Sequence, residues 1–146
     1  MKSVRQWMVA IAAMTLFASP AFAQDSSYSP GTVWNISNIA VEPGQFEKYM
    51  DYLAGDWKKL NEFGKKEGYV VSYHVLQVNN ARIGEPNLIL AVEYRDYFGN
   101  AEQLAQQKKL EAFLASSTRR MDAEFGDRKA MRKTLGGMEL QELKLK

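Results

Sequence analysis

Cysteine is absent from this 146-residue chain, and histidine occurs once, at position 74. Without cysteine there is no disulfide framework, no thiolate nucleophile and no thiolate-ligated metal. With a single imidazole, a structural zinc site is excluded and only an oxygen-ligand metal site can be built. No GxSxG, HExxH, P-loop or dinucleotide-binding pattern occurs, so the common hydrolase, metalloprotease and nucleotide-dependent classes lose their support. An excess of one charge sign is also missing. The formal net charge of +2 is carried by Lys2 and Arg5, and without them the 19 Lys and Arg fall to parity with the 17 Asp and Glu. A neutral body gives no electrostatic reason to expect nucleic acid or an anionic membrane as partner.

Long apolar runs are scarce too. The longest, about Trp7 to Ala18, lies within "MKSVRQWMVAIAAMTLFASPAFAQ" and is shorter than the roughly 20 residues that span a bilayer. Basic residues precede it, and the small-x-small triplet Ala21-Phe22-Ala23 follows. That order describes a secretory signal peptide over residues 1–23, cleaved before Gln24. No cysteine follows the cleavage point, so a lipid anchor is excluded. The expectation is a periplasmic or secreted protein with no stable membrane insertion after cleavage.

What remains is enough for one domain, burying roughly 65% of its unfolded surface. Residues 24–31, "QDSSYSPG", read as a flexible leader, and 32–146 as the domain. "TVWNISNIAV" (32–41) is rich in β-branched residues and stops at Pro43-Gly44, which predicts a strand. From Gln45 to about Lys66 the period becomes helical, with Phe46, Tyr49, Met50, Leu53, Trp57, Leu60 and Gly64 on one stripe and Gly68 as the stop. Phe46 and Trp57 on that stripe read as core. "YVVSYHVLQV" (69–78) and "LILAVEYRD" (88–96) predict two strands joined by a short loop, hence an antiparallel hairpin. Residues 100–125 carry helical spacing, with Asn100 as cap, a division at Ser117-Thr118 and a break at Gly126. "MELQELKLK" predicts a last strand after Gly136-Gly137.

The order β-α-β-β-α-β predicts an α+β fold of ferredoxin-like type, an antiparallel sheet with helices on one face. Alternation then creates a difficulty. Val33, Ile39 and Val41 occupy one side of the first strand, and Trp34 and Ile36 the other; Leu88, Leu90, Val92 and Tyr94 oppose Ile89 and Ala91 in the third. Helices on one face leave the other greasy face bare, and a second copy of the same sheet is the simplest cover, giving a homodimer. On the element order, the "AVEPGQFEKYMDYL" strand-to-helix entry and the doubly apolar strands, the chain over Thr32 to Lys146 resembles the dimeric α/β-barrel superfamily. Small members of that superfamily include antibiotic-biosynthesis monooxygenase-like and stress-responsive barrel proteins. The resemblance implies a barrel closed by two subunits, around an apolar cavity in many members. Cofactor-independent monooxygenases of this kind use Asn, Trp, Arg or His there, and Asn38, Trp34, His74 and Arg95 supply those types.

The expected function is the enclosure of a small, largely apolar ligand between helices and sheet, with no cofactor. His74 and Arg95 are the candidate catalytic residues, and Asn38, Trp34 and Tyr94 the candidate ligand-binding ones. His74 also fits a packed, hydrogen-bonded role, and Arg95-Asp96 a solvent-exposed pair at a strand end. A cofactor-independent monooxygenase or isomerase is one alternative, and a structural stress protein with a filled core is the other. No CxxCH motif is present for covalent haem, which leaves only a non-covalent site. The basic run Arg119, Arg120, Arg128, Lys129, Arg132 and Lys133, interleaved with Asp122, Glu124 and Asp127, reads as a solvated helical face, with an anionic-ligand patch as the other reading.

Overall fold

The computed structural model describes residues 25–146. The expected signal peptide at 1–23 lies outside them. Four strands, β1 (Tyr28–Val41), β2 (Val70–Gln77), β3 (Leu88–Tyr94) and β4 (Arg132–Leu145), form one antiparallel sheet in the spatial order β2-β3-β1-β4. Between β1 and β2 runs one helical segment, α1 (Phe46–Tyr52), a π-helical turn (Leu53–Trp57) and α2 (Lys58–Lys66). Helices α3 (Asn100–Leu114) and α4 (Thr118–Asp127) follow β3, and a 3-10 turn (Arg128–Ala130) leads into β4. Among the described residues no helix is long and apolar enough to cross a membrane.

The sequence pattern accounts for most of these boundaries. Gly68, at φ +79°, ends the first helical segment in the left-handed region that side chains disfavour. Ser117 caps α4 by accepting from the Arg120 N–H at 3.3 Å, which places the division of the second helical region at Ser117-Thr118 as expected. Three boundaries differ. Helix α4 continues through Gly126 to Asp127. Strand β1 begins at Tyr28, before the expected Thr32, because Tyr28, Ser29 and Pro30 pair with Leu145, Lys144 and Leu143.

Strand β4 also starts earlier than expected, and Gly136-Gly137 lie within it. Asn38 faces Gly136 while Ile39 faces Thr134, so Leu135 is an extra residue and Gly136 takes φ +119° at the bulge. A side chain at Gly137 would meet the Ile36 carbonyl oxygen at 2.5 Å. Gly137 is therefore required by close strand packing and Gly136 by its positive φ at the bulge, and neither by a loop.

The core lies between the sheet and the first helical segment. Ile39, Val41, Leu88 and Leu90 from the strands close on Tyr49 and Leu53, with Trp57, Val75 and Met131 at the margin. The π turn alters the helical stripe. One extra residue in the turn shifts the phase of everything after Leu53, so Asn61 and Phe63 become buried beside Gly64, and the Asn61 amide donates to the Trp57 carbonyl at 2.8 Å. Phe63 then stacks on Phe113 of α3, ring centroids 4.5 Å apart. A uniform 3.6-residue period cannot anticipate that insertion.

A second register shift affects β2. Val70 pairs with Tyr94 and Ser72 with Glu93, so Val71 is bulged. Strict alternation puts Val70 on the His74 face; the bulge moves it to the face of Tyr73 and Val75. On the other side of the sheet no described helix packs. Trp34, Ile36 and Ile89 are half-buried there, and Leu76, Met138 and Leu140 are 50%, 50% and 47% exposed.

Candidate functional site

The sheet divides the candidate residues between its two faces. Pairing aligns Val33 with Tyr94 and Ile39 with Leu88, so the odd-numbered residues of β1 share the helix face with Tyr94. Trp34 and Asn38 lie on the opposite, open face. His74 pairs with Ala91, an open-face residue, and joins them there. His74 and Asn38 therefore do not line a cavity between helices and sheet, and the expected grouping with Tyr94 does not form within one subunit.

On the open face, the His74 ring stacks over Trp34 with centroids 6.1 Å apart and planes 18° from parallel. Beside them a polar group has assembled. The Glu93 carboxylate accepts from the Ser72 hydroxyl at 2.6 Å and from the Thr32 hydroxyl at 2.8 Å, and Glu142 reaches the same Thr32 hydroxyl at 3.4 Å. These bonds link all four strands, so neither helical nor strand periodicity announces them.

On the helix face a cavity of about 510 Å³ lies between the sheet and α3. Tyr94 and Tyr69 form one wall, Asn35 and Glu139 the sheet floor, and Gln103 and Gln107 of α3 the far side. Phe98 meets both tyrosines edge-on, its centroid 6.1 Å from Tyr69 and 6.0 Å from Tyr94, which fixes the two rings. Burial pushes both phenols above their ordinary value, with the neighbouring Tyr94 and Glu67 adding to the effect at Tyr69. Both are thus neutral hydroxyls able to donate. The segment that shapes the rim is held locally. The Asp96 carboxylate accepts from the Tyr97 N–H at 2.8 Å, and the Gln103 amide donates to the Phe98 carbonyl at 3.1 Å.

Arg95 does not line this cavity. Its guanidinium forms an ion pair with Glu102 at 2.5 Å and lies over the Phe98 ring, 5.8 Å from its centroid, with just over half the side chain in solvent. The partner is Glu102 on α3 and not the adjacent Asp96. Of the five candidates, Tyr94 alone faces the enclosed space. Outside those five, the lining includes Tyr69, Asn35, Glu139 and the α3 glutamines. Asn35 was within reach of sequence reasoning, since it shares parity with Val33 and Ile39; the glutamines carry no signal, because α3 shows no amphipathic stripe and buries no residue. Among the described residues no three His, Asp or Glu side chains gather as a metal site.

Neutral donors, amides and aromatic walls suit a small ligand with an apolar body and one or two polar groups. Compared with protein-family models, curated proteins and solved structures, the chain matches none.

Proposed function

We propose that this chain is an exported, homodimeric α/β-barrel protein of ferredoxin-like topology that holds a small, largely apolar ligand on the helix side of its sheet. The observation that carries the reading is the bare open face. Half-exposed Leu76, Met138 and Leu140 adjoin Trp34, Ile36 and Ile89 with no described helix above them. A contiguous apolar surface of this kind marks an interface. The spatial order β2-β3-β1-β4 with both crossovers supports the split β-α-β topology.

A second copy is the favoured cover, because the fold leaves two things unmet at once. Besides the face, the outer edge of the 14-residue β4 has no partner strand among the described residues. Strands about 4.8 Å apart, with about seven paired residues each, give a planar footprint on the order of 20 by 24 Å. That falls short of the roughly 800 Å² per partner of a standard interface. Pairing of the free β4 edge with its counterpart in the second copy supplies the remainder. The cavity against Tyr69 and Tyr94 favours a ligand-holding role over a merely filled core, and export rests on the Lys2–Ala23 pattern.

The test is light scattering coupled to gel filtration, with small-angle scattering, on the parent chain and on Ile36→Lys and Leu140→Glu. A dimeric parent and monomeric, folded variants are expected, with native mass spectrometry reporting any retained small molecule. A parent that remains a well-folded single subunit at micromolar concentration overturns the proposal.

A further inference from the structure

Beneath α4 lies a second cavity, of about 360 Å³, separate from the one against Tyr94. Two arginines border it. Arg132 opens β4 opposite Val41 and is only 6% exposed; Arg128 stands just past the end of α4. Both guanidinium groups stack on the Phe125 ring, at 4.7 Å for Arg132 and 5.4 Å for Arg128, and Arg128 also lies 4.5 Å from the centroid of Tyr52.

Two like charges share one aromatic ring here without a counter-charge. The ion pairs of the described residues engage Arg82, Arg95, Lys109, Arg120, Lys133, Lys144 and Lys146, and no described carboxylate pairs with Arg128 or Arg132. Stacking compensates the faces of the guanidinium groups but not their in-plane N–H donors. Arg132 donates from Nη1 to the Thr134 hydroxyl at 2.8 Å and also lies within hydrogen-bonding reach of the Tyr49 hydroxyl, while the Nε of both arginines is buried with no acceptor. A guanidinium buried without a counter-charge is costly, and a planar anion with two acceptor oxygens in the cavity supplies that charge. The other walls are aromatic, aliphatic or hydroxylic, among them Trp57, Tyr52, Leu90 and Ser37. Burial raises the Tyr49 and Tyr52 phenols above their ordinary value against the opposing pull of the arginines, which keeps them neutral.

We propose that this cavity binds a small aromatic carboxylate, its carboxylate held by Arg128 and Arg132 and its ring against Trp57 and Tyr52. The volume lies at the small end of ligand sites and suits a single ring. The site belongs to one subunit and does not depend on the dimer or on the cavity beside Tyr94.

Isothermal titration of the full domain with benzoate tests it, with benzyl alcohol as the neutral counterpart and inorganic phosphate as a bare oxyanion. Benzoate is expected to bind in preference to both. Affinity is expected to fall about tenfold or more in Arg128→Gln and in Arg132→Lys, since a charge-assisted hydrogen bond is lost in each. Circular dichroism checks that the variants fold, and Arg128, only partly buried, is the safer of the two. Absence of benzoate binding, equal binding by folded Arg128→Gln, or tighter binding of phosphate overturns the proposal. Association state is read separately by light scattering.

Discussion

Gly64 is a packing contact, and its replacement separates packing from helix propensity. It lies near the end of α2, where the helix crosses β2. A Cβ added there would stand 2.5 Å from Val70 Cγ2 and 2.8 Å from Tyr69 Cε2. Neither neighbour yields easily, since Val70 is β-branched and stiff at χ1 and the Tyr69 ring is wedged against Phe63 and Phe98. Gly55, in the π turn of the same segment, has nothing within 4 Å of the corresponding point. Alanine gains about 0.8–1 kcal/mol over glycine in a helix interior. At Gly64 overpacking of about 1–3 kcal/mol opposes that gain. Gly55→Ala is therefore expected to stabilise the protein and Gly64→Ala to destabilise it or leave it level. The propensity gain is common to both, so the difference between the variants isolates the packing cost of about 1–3 kcal/mol. Urea unfolding followed by circular dichroism measures it, at one protein concentration so that association does not enter. Two variants of equal stability would refute the close approach of α2 to β2. The Tyr69 ring would then not be fixed as the cavity requires.

Two further outcomes follow from the charges. Burial raises Tyr49, Tyr52, Tyr69 and Tyr94 above 10.0, and the hydrogen bond from the Tyr73 hydroxyl to Glu62 at 2.5 Å raises Tyr73. Folded-state values above the unfolded ones mean that stability is fully present below pH 10 and is lost as pH rises through the raised values; a tyrosinate absorbance titration in which these phenols ionised near 10 while the protein stayed folded would contradict the burial. Arg95→Ala removes an ion pair whose side chains are 54% and 40% exposed, so thermal unfolding is expected to report a loss below about 1 kcal/mol; a loss well beyond that would return Arg95 to a central role.

How far the candidate site was legible follows from which interactions are local. Tyr94 was found because a strand face is set by alternation, and Tyr94 follows Leu88 and Leu90 at even spacing onto the covered side. His74 and Trp34 meet on the open face through pairing with Ala91 and Glu93, which no local pattern specifies. Arg95 was placed beside Asp96 by adjacency, whereas a helix fifteen residues long brings Glu102 to it instead. The Arg128 and Arg132 cavity hid inside a run of alternating charges. Only burial distinguishes those two cations from Arg119 and Arg120.

By itself, the sequence determined the element order, the strand faces away from bulges, the helix stop at Gly68, the helix division at Ser117 and the presence of apolar residues on both sides of the sheet. These are short-range matters of period, φ preference and capping, settled within a few residues. Tertiary structure alone decided the bulges at Val71 and Leu135, the π turn that buries Phe63, and which polar side chains meet across strands. Each of those depends on contacts between segments far apart in the chain. Their energies compete with local preference and, at these positions, exceed it.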